Sequence, residues 1–153
     1  MGMHPFPHRY SAAATCREQG SVAVTAEGIE ALATHAPPEF GGPAGHWSPE
    51  TLLVASIADC FALSFRVAAR AADLPWEKLE VDVEGLLDRE GGVTRFTQFV
   101  IRPRLHIGAV VSPNLAHSAL RNAKRMCLIT NSLSAECDLQ PEIVSLLAHT
   151  AQA

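Results

Sequence analysis

The four cysteines, Cys16, Cys60, Cys127 and Cys137, are the residues with the most evident chemistry. No two of them have CxxC spacing, and no pair of cysteines or histidines has the spacing of zinc ligands. A disulfide scaffold is not expected, because a chain of 153 residues forms its own hydrophobic core and its first residues lack the pattern of a secretion signal. Each cysteine is therefore either an inert core residue or a reactive thiol.

Cys60 and Cys127 fall at different places on two predicted helices. Cys60 lies near the middle of a helix predicted for residues 49–73, where the helix N-terminus gives a thiolate no help and the adjacent Asp59 disfavours it. Cys60 would therefore need a cation from elsewhere in the fold. Cys127 ends a second helix, where the negative end of the dipole makes it the poorer first nucleophile. Cys127 could instead attack a sulfenic acid.

The helix that carries Cys60 has clear end signals. Ser48 can cap the free amide groups, Pro49 fits the first helical position, and Glu50 suits the positive end of the dipole. Leu74 and Pro75 stop the helix. Because the segment between these signals is apolar on most faces, we predict a long buried helix.

The remaining patterns predict strands and one or two further helices. Before the long helix, the pattern predicts a hairpin that turns at residues 17–20 into a strand at 21–25, then a short strand at 30–34 and a loop at 36–45. After it, alternation predicts strands at 79–85 and 96–107, joined through a turn at 91–92. The last predicted elements are a helix from 112 to 127, a strand at 131–139 and a short helix at 141–148. This mixed order, without strict βαβ alternation, predicts an α+β fold.

Composition limits the classes of function. Hydrophobic residues make up 48% of the chain, which excludes a disordered polar protein. Twelve basic residues against 16 acidic ones give a net charge of -4, so a nucleic-acid surface is not expected. The longest apolar stretch, residues 52–65, contains Asp59 and is too short to span a bilayer. We expect a single domain over residues 1–153 in a soluble, cytoplasmic protein.

Two segments resemble motifs of the OsmC/Ohr family of thiol peroxidases. Residues 48–61 resemble the first motif, with Pro49 and Glu50 at a helix start and Cys60 ten residues after the glutamate. Residues 126–133 resemble the second, in which a cysteine is followed by a strand. The resemblance implies an α+β fold with curved antiparallel sheets around a long buried helix. It also implies an intertwined homodimer with two active sites at the subunit interface.

The resemblance also implies the roles of four residues. Cys60 would attack an organic hydroperoxide, and Cys127 would resolve the resulting sulfenic acid as a disulfide, which an external dithiol then reduces. An arginine from the N-terminal hairpin and the glutamate of the first motif complete such a site. These map to Arg17, with Arg9 as the alternative, and to Glu50. No metal, flavin or haem is needed.

The residues outside this core of the site have less definite roles. Cys16 and Cys137 lie outside the family pattern and are expected to be bystanders. Apolar side chains could line a pocket near Cys60 that favours a bulky organic hydroperoxide, or could simply belong to the core. The predicted substrate-binding residues are Phe61, Phe65, Trp47 and Leu53, with Phe40 as a further candidate.

Two other functions compete with the peroxidase. One is a non-catalytic OsmC-like module that binds a small apolar ligand or a partner protein. Its support is Leu128, because the family commonly has proline directly after the second cysteine. The other is a metal-binding regulator that uses cysteine and histidine, which the missing ligand spacings disfavour.

Overall fold

The computed structural model describes residues 3–146 of the chain. They form two compact units, which divide between Leu52 and Leu53. This boundary lies in the first turn of helix α1 (Pro49–Ala71). The expectation of one domain over residues 1–153 remains a prediction.

The first unit contains a three-stranded antiparallel sheet. Strand β1 (Ala13–Thr15) pairs with β2 (Val22–Ala26), which pairs with β3 (Ile29–Thr34). Gly20 turns the chain into β2 with a φ of +95°, a conformation that glycine adopts without steric cost. The predicted hairpin, third strand and following loop are confirmed. Within the loop, Pro38–Phe40 forms one 3-10 turn.

The second unit contains a four-stranded mixed sheet. The long strands β4 (Lys78–Glu90) and β5 (Val93–Gly108) form an antiparallel hairpin, as their alternation predicted. Strand β6 (Glu136–Leu139) runs parallel to the first half of β5, and β7 (Glu142–Leu146) runs parallel to its second half. The sheet is therefore antiparallel only in the hairpin.

The core of the second unit lies between its helices and β5. Helix α1 contributes one buried face, and α2 (Pro113–Met126) contributes another. The buried cluster includes Ile57, Phe61, Phe65, Ala68, Ala69, Phe99, Ile101, Leu105, Ile107, Ala116, Ala119, Leu120 and Ala123. The side of α1 away from this cluster is open in the single chain, since Leu63 and Val67 are 50% and 51% exposed.

Two predicted elements near the C-terminus were wrong in part. The strand predicted at 131–139 begins only at Glu136, because residues after Cys127 first form a short helical turn, α3 (Leu128–Asn131). The Ser132 hydroxyl donates to the Leu128 carbonyl oxygen at 2.8 Å and holds this turn.

The helix predicted at 141–148 is strand β7, and residues 147 and 148 lie outside the described range. Pro141 and Glu142 imitate a helix start. The β-branched Ile143 and Val144 pair with β5 instead.

Candidate thiol site

Local hydrogen bonds set the start of α1 and thereby the position of Glu50. The Thr51 amide donates to the Ser48 hydroxyl oxygen at 3.2 Å, and the Ser48 amide donates to the Thr51 hydroxyl oxygen at 2.9 Å. This reciprocal pair satisfies two amide groups, as a capping box does. With Pro49 at the first helical position, Glu50 falls in the first turn.

Cys60 lies beside the buried face of α1 and is half-buried. Phe61, the next residue, is fully buried, whereas Leu63, one turn further along the helix, is half exposed. Cys60 therefore stands between the buried face and the open side of the helix, partly shielded from solvent.

Cys127 lies at the junction of α2 and α3 and has no exposed surface. Its amide donates to the Lys124 carbonyl oxygen at 3.2 Å, and its carbonyl oxygen accepts from the Thr130 hydroxyl at 3.2 Å. Both Cys60 and Cys127 are free thiols in the structure.

The two thiols are close enough to act on each other. Burial raises the pKa of Cys127, and the neighbouring Cys60 raises it further. Thr130 opposes the shift by hydrogen bonding. Cys127 is therefore a neutral thiol at neutral pH, and a second thiol, Cys60, lies near it.

Cys137 is also near this pair, which the sequence did not indicate. Burial raises the pKa of Cys137, while the charge of Lys124 lowers it and that of Cys127 raises it again. Its position depends on the parallel pairing of β6 with β5, where Cys137 lies opposite Phe99. Cys16, by contrast, is exposed, between β1 and β2.

Arg17 and Glu50 both belong to the first unit, and the single chain does not pair them. Arg17 is exposed in the β1–β2 connection and has no ion pair within residues 3–146. The Oε2 atom of Glu50 is buried and has no hydrogen-bond partner among the same residues. A buried carboxylate oxygen without a donor is unfavourable, so this atom is a natural acceptor for an arginine.

The predicted substrate-binding residues differ in their exposure. Phe61 and Phe65 are fully buried in the second unit. The rings of Phe65 and Trp76 pack edge to face, with their centroids 5.2 Å apart. Leu53 is partly buried against that core. Trp47, in the first unit, is 47% exposed. In the single chain, Leu53 and Trp47 therefore retain surface for a ligand, while the two phenylalanines do not.

A metal centre finds no support in the described part of the chain. Residues 3–146 contain no group of three or more histidine, cysteine, aspartate or glutamate side chains placed to hold a metal ion. The thiol pair is thus the cluster with the clearest chemistry: two adjacent thiols in unequal surroundings, one neutral and buried, the other beside open surface.

The family model described as OsmC-like protein matches residues 42–142, a segment that contains both thiols of the pair. The chain belongs to the OsmC/Ohr family. An uncharacterized protein of Bacillus subtilis, YmaD, is 25% identical over 109 residues, covering 69% of this chain and 73% of YmaD. Some structural relatives of this OsmC-like chain bear the name of organic hydroperoxide resistance proteins.

Solved structures share the fold at low identity. An OsmC-like protein of unknown function from Vibrio cholerae is 20% identical with a TM-score of 0.77, over 88% of this chain and 99% of that one. An organic hydroperoxide resistance protein OsmC from Legionella pneumophila is 22% identical with a TM-score of 0.73, over 93% and 100%. These similarities confirm the predicted α+β, OsmC-like fold.

Membership of this fold also explains the apolar character of α1. By length and composition the helix could cross a membrane, but the core helix of a soluble protein has the same properties. In this OsmC-like chain α1 packs one face against α2 and β5 within the second unit. The protein is soluble.

Proposed function

We propose that this OsmC-like protein is a thiol-dependent peroxidase that reduces organic hydroperoxides in the cytoplasm. The observation that carries the proposal is the nearness of Cys60 to the buried thiol of Cys127, whose pKa it helps to raise. Two neighbouring thiols, one fully buried and one partly exposed, are what a resolving group and a nucleophile require. The names of structural relatives from Legionella pneumophila and other bacteria agree with this choice of substrate.

The first step is nucleophilic attack by Cys60. Its thiolate attacks the terminal oxygen of the hydroperoxide, the O–O bond breaks, and the alkoxide leaves and takes up a proton to become an alcohol. Cys60 is thereby oxidised by two electrons to a sulfenic acid. Cys127 does not compete for the peroxide, because burial keeps its thiol protonated.

The second step is disulfide formation by Cys127. Oxidation of Cys60 removes the negative charge that helps to raise the pKa of Cys127. Cys127 therefore ionises more readily once it is needed, and its sulfur attacks the sulfenic sulfur with release of water. An external dithiol returns both cysteines to thiols by exchange through a mixed disulfide.

The cation that keeps Cys60 anionic is proposed to be Arg17, held by Glu50. Arginine is always charged and has a planar set of donors, so one edge can bind the carboxylate while the other faces sulfur or peroxide oxygen. The partnerless buried Oε2 of Glu50 supports this role. Leu53 and Trp47, which retain exposed surface, are the proposed contacts for the apolar part of the substrate, whereas Phe61 and Phe65 belong to the core of the second unit.

A homodimer is proposed as the working form. The apolar side chains Leu63 and Val67 of helix α1 are each about half exposed, and a second copy of the chain would bury them. The intertwined dimer implied by the family resemblance would place such a surface next to the thiol pair.

Stopped-flow mixing of the reduced protein with cumene hydroperoxide tests the proposal. We expect two thiols to be lost per subunit and mass spectrometry to identify a Cys60–Cys127 disulfide. The Cys127→Ser variant should stop at a sulfenic acid on Cys60, which dimedone traps. Cys137→Ser is the matched control, since it removes a nearby thiol and should still form the disulfide. An unreacted Cys60 under excess peroxide would favour the non-catalytic module instead.

A further inference from the structure

A basic groove lies along the C-terminal half of α2, outside the thiol pair itself. It has a volume of about 630 Å³. Its helical wall carries Arg121, Lys124 and Arg125, and Asp138, Leu139 and Pro141 line it from β6 and the segment that follows. Residues three and four apart share one helix face, so these cations are presented side by side.

The positive charge of this groove is largely unneutralised. Within residues 3–146, none of the three cations lies within ion-pair distance of a carboxylate. Arg125 hydrogen-bonds the neutral amide of Asn122 instead. Asp138 is the carboxylate on the wall, and its Oδ2 already accepts a hydrogen bond from Gln98 at 2.5 Å. A local excess of positive charge thus stands on a chain whose net charge is -4.

The same cations lead towards Cys127. Lys124 and Arg125 also line a smaller cavity of about 310 Å³, which Thr130 and Cys137 line as well. Thr130 in turn hydrogen-bonds Cys127, which has no exposed surface of its own. Lys124 and Arg125 thus line both the groove and the cavity that contains Thr130, the hydrogen-bond partner of Cys127.

We propose that the groove formed by Arg121, Lys124 and Arg125 docks an acidic protein that carries the reducing dithiol. The inference rests on the proposed function, because it assigns a partner to the reductive step. One thiolate of the partner attacks the Cys60–Cys127 disulfide, a mixed disulfide forms, and the second partner thiol releases it. The partner is oxidised by two electrons, and both cysteines return to thiols.

Charge complementarity selects an acidic protein over other partners. The negative remainder of the chain repels an acidic surface, so attraction is confined to the groove and orients the partner there. A nucleic acid would suffer the same repulsion over a far longer charged backbone, and the net charge of -4 opposes it.

Two peptides with the same dithiol test the inference. Both contain two cysteines separated by Gly-Pro; one is flanked on each side by two glutamates and the other by two glutamines. The Cys60–Cys127 disulfide is prepared with diamide, so the reductive step is measured even if peroxide fails to oxidise the pair. At low salt we expect the acidic peptide to reduce it about tenfold faster than the neutral one, an advantage that 0.5 M salt removes.

Charge-reversal variants locate the effect. Arg121→Glu should abolish the preference for the acidic peptide and leave reduction by the neutral peptide unchanged. Arg89→Glu, near the end of β4 and outside both cavities, changes the charge equally and should keep the preference. Equal rates with both peptides, or equal losses in both variants, would overturn the inference.

Binding can also be measured without any redox step. With serine in place of both peptide cysteines, fluorescence anisotropy should show salt-sensitive binding of the acidic peptide that Arg121→Glu removes. This readout holds even if diamide produces no disulfide, so failure of the peroxidase and failure of the docking surface are distinguishable. Tighter binding of a single-stranded oligonucleotide at the same salt concentration would overturn the choice of an acidic protein.

Discussion

The buried thiol of Cys127 and the ion pairs of the β4–β5 hairpin show two opposite shifts in the pKa of an acidic group. Burial raises the pKa of Cys127, and no cation contributes to lowering it. On the hairpin, hydrogen bonds from Lys78 and His106 lower the pKa of Glu80 from 4.5 to about 2 in an open setting. Burial away from water favours the neutral form of an acidic group, whereas charged donors favour its ionised form.

Cys137 lies between these two extremes. The charge of Lys124 lowers its pKa, but burial raises it by more, and the result is a raised value. One cation near a partly buried thiol is therefore insufficient in this protein. A thiol that must react as an anion needs a charged donor in direct contact, which is why the proposed site requires Arg17 as well as the pair of sulfurs.

The largest effect is expected from removing the thiol at the edge of the core. Cys60→Ser should lower the rate of cumene hydroperoxide reduction by at least about a thousandfold, because Cys60 is the proposed nucleophile that forms the covalent intermediate. Steady-state consumption of peroxide with excess dithiol measures this. Cys16→Ser, which changes an exposed cysteine, should match the parent protein. Residual turnover within tenfold of the parent would move the nucleophile to another cysteine.

The next effect tests the need for a charged donor. Arg17→Ala should lower kcat/KM by about 10- to 100-fold, since a nearby opposite charge favours a thiolate by roughly 1–3 pKa units. The alkylation rate of Cys60 by iodoacetamide should fall in parallel, and Arg17→Lys should restore part of both.

Arg9→Ala is the matched variant for this experiment. If Arg9→Ala loses activity and Arg17→Ala does not, the cation comes from the other N-terminal arginine. If neither variant changes the alkylation rate, the comparison with Glu80 does not extend to Cys60.

A smaller effect is expected on assembly. Val67→Glu places a charge on the open side of α1, where burial of a valine contributes roughly 1.5–3 kcal/mol. The dimer dissociation constant should rise at least tenfold in analytical ultracentrifugation. Val110→Glu, at a residue that is 98% exposed, should have no effect. A parent protein that is monomeric at micromolar concentration would contradict the proposed dimer.

Local signals predicted most of the elements that position the thiols. The bonds between Ser48 and Thr51 confirm the predicted start of α1, and the alternation at residues 79–85 predicted β4. The failures depend on distant partners. Strand β7 was predicted as a helix, because Pro141 and Glu142 imitate a helix start and the pairing with β5 is invisible in local sequence.

The site was less accessible to sequence reasoning than the fold. Helix positions ranked Cys60 above Cys127 as the first nucleophile, but only the family resemblance paired them, since their spacing carries no information on tertiary contact. The nearness of Cys137 follows from the parallel register of β6 on β5, which no local pattern encodes. The sequence around Arg17 indicates only a turn residue, and its pairing with Glu50 in the site remains a prediction.

The smallest predicted effect is a change in the slope of stability against pH at the hairpin. The pKa of Glu80 is about 2 in the folded protein, against 4.5 unperturbed, so its stabilising contribution is complete above about pH 5 and is lost as the pH falls towards 2. Glu80→Gln lacks an ionisable group there. Thermal unfolding should therefore show a difference between parent and variant at pH 5 that shrinks by pH 2.

Removing Lys78, the main partner of Glu80, and adding salt both test whether the stability difference between the parent and Glu80→Gln is electrostatic. Lys78→Met removes the largest contribution to the shift and should shrink the difference at pH 5, while His106 continues to hold Glu80 at 3.0 Å. Because the Glu80 side chain is 41% exposed, 0.5 M salt should shrink this difference as well. A difference that stays constant from pH 5 to 2 would assign the contribution to side-chain packing, and the contrast with the buried thiols would then no longer be one of charged donors against burial.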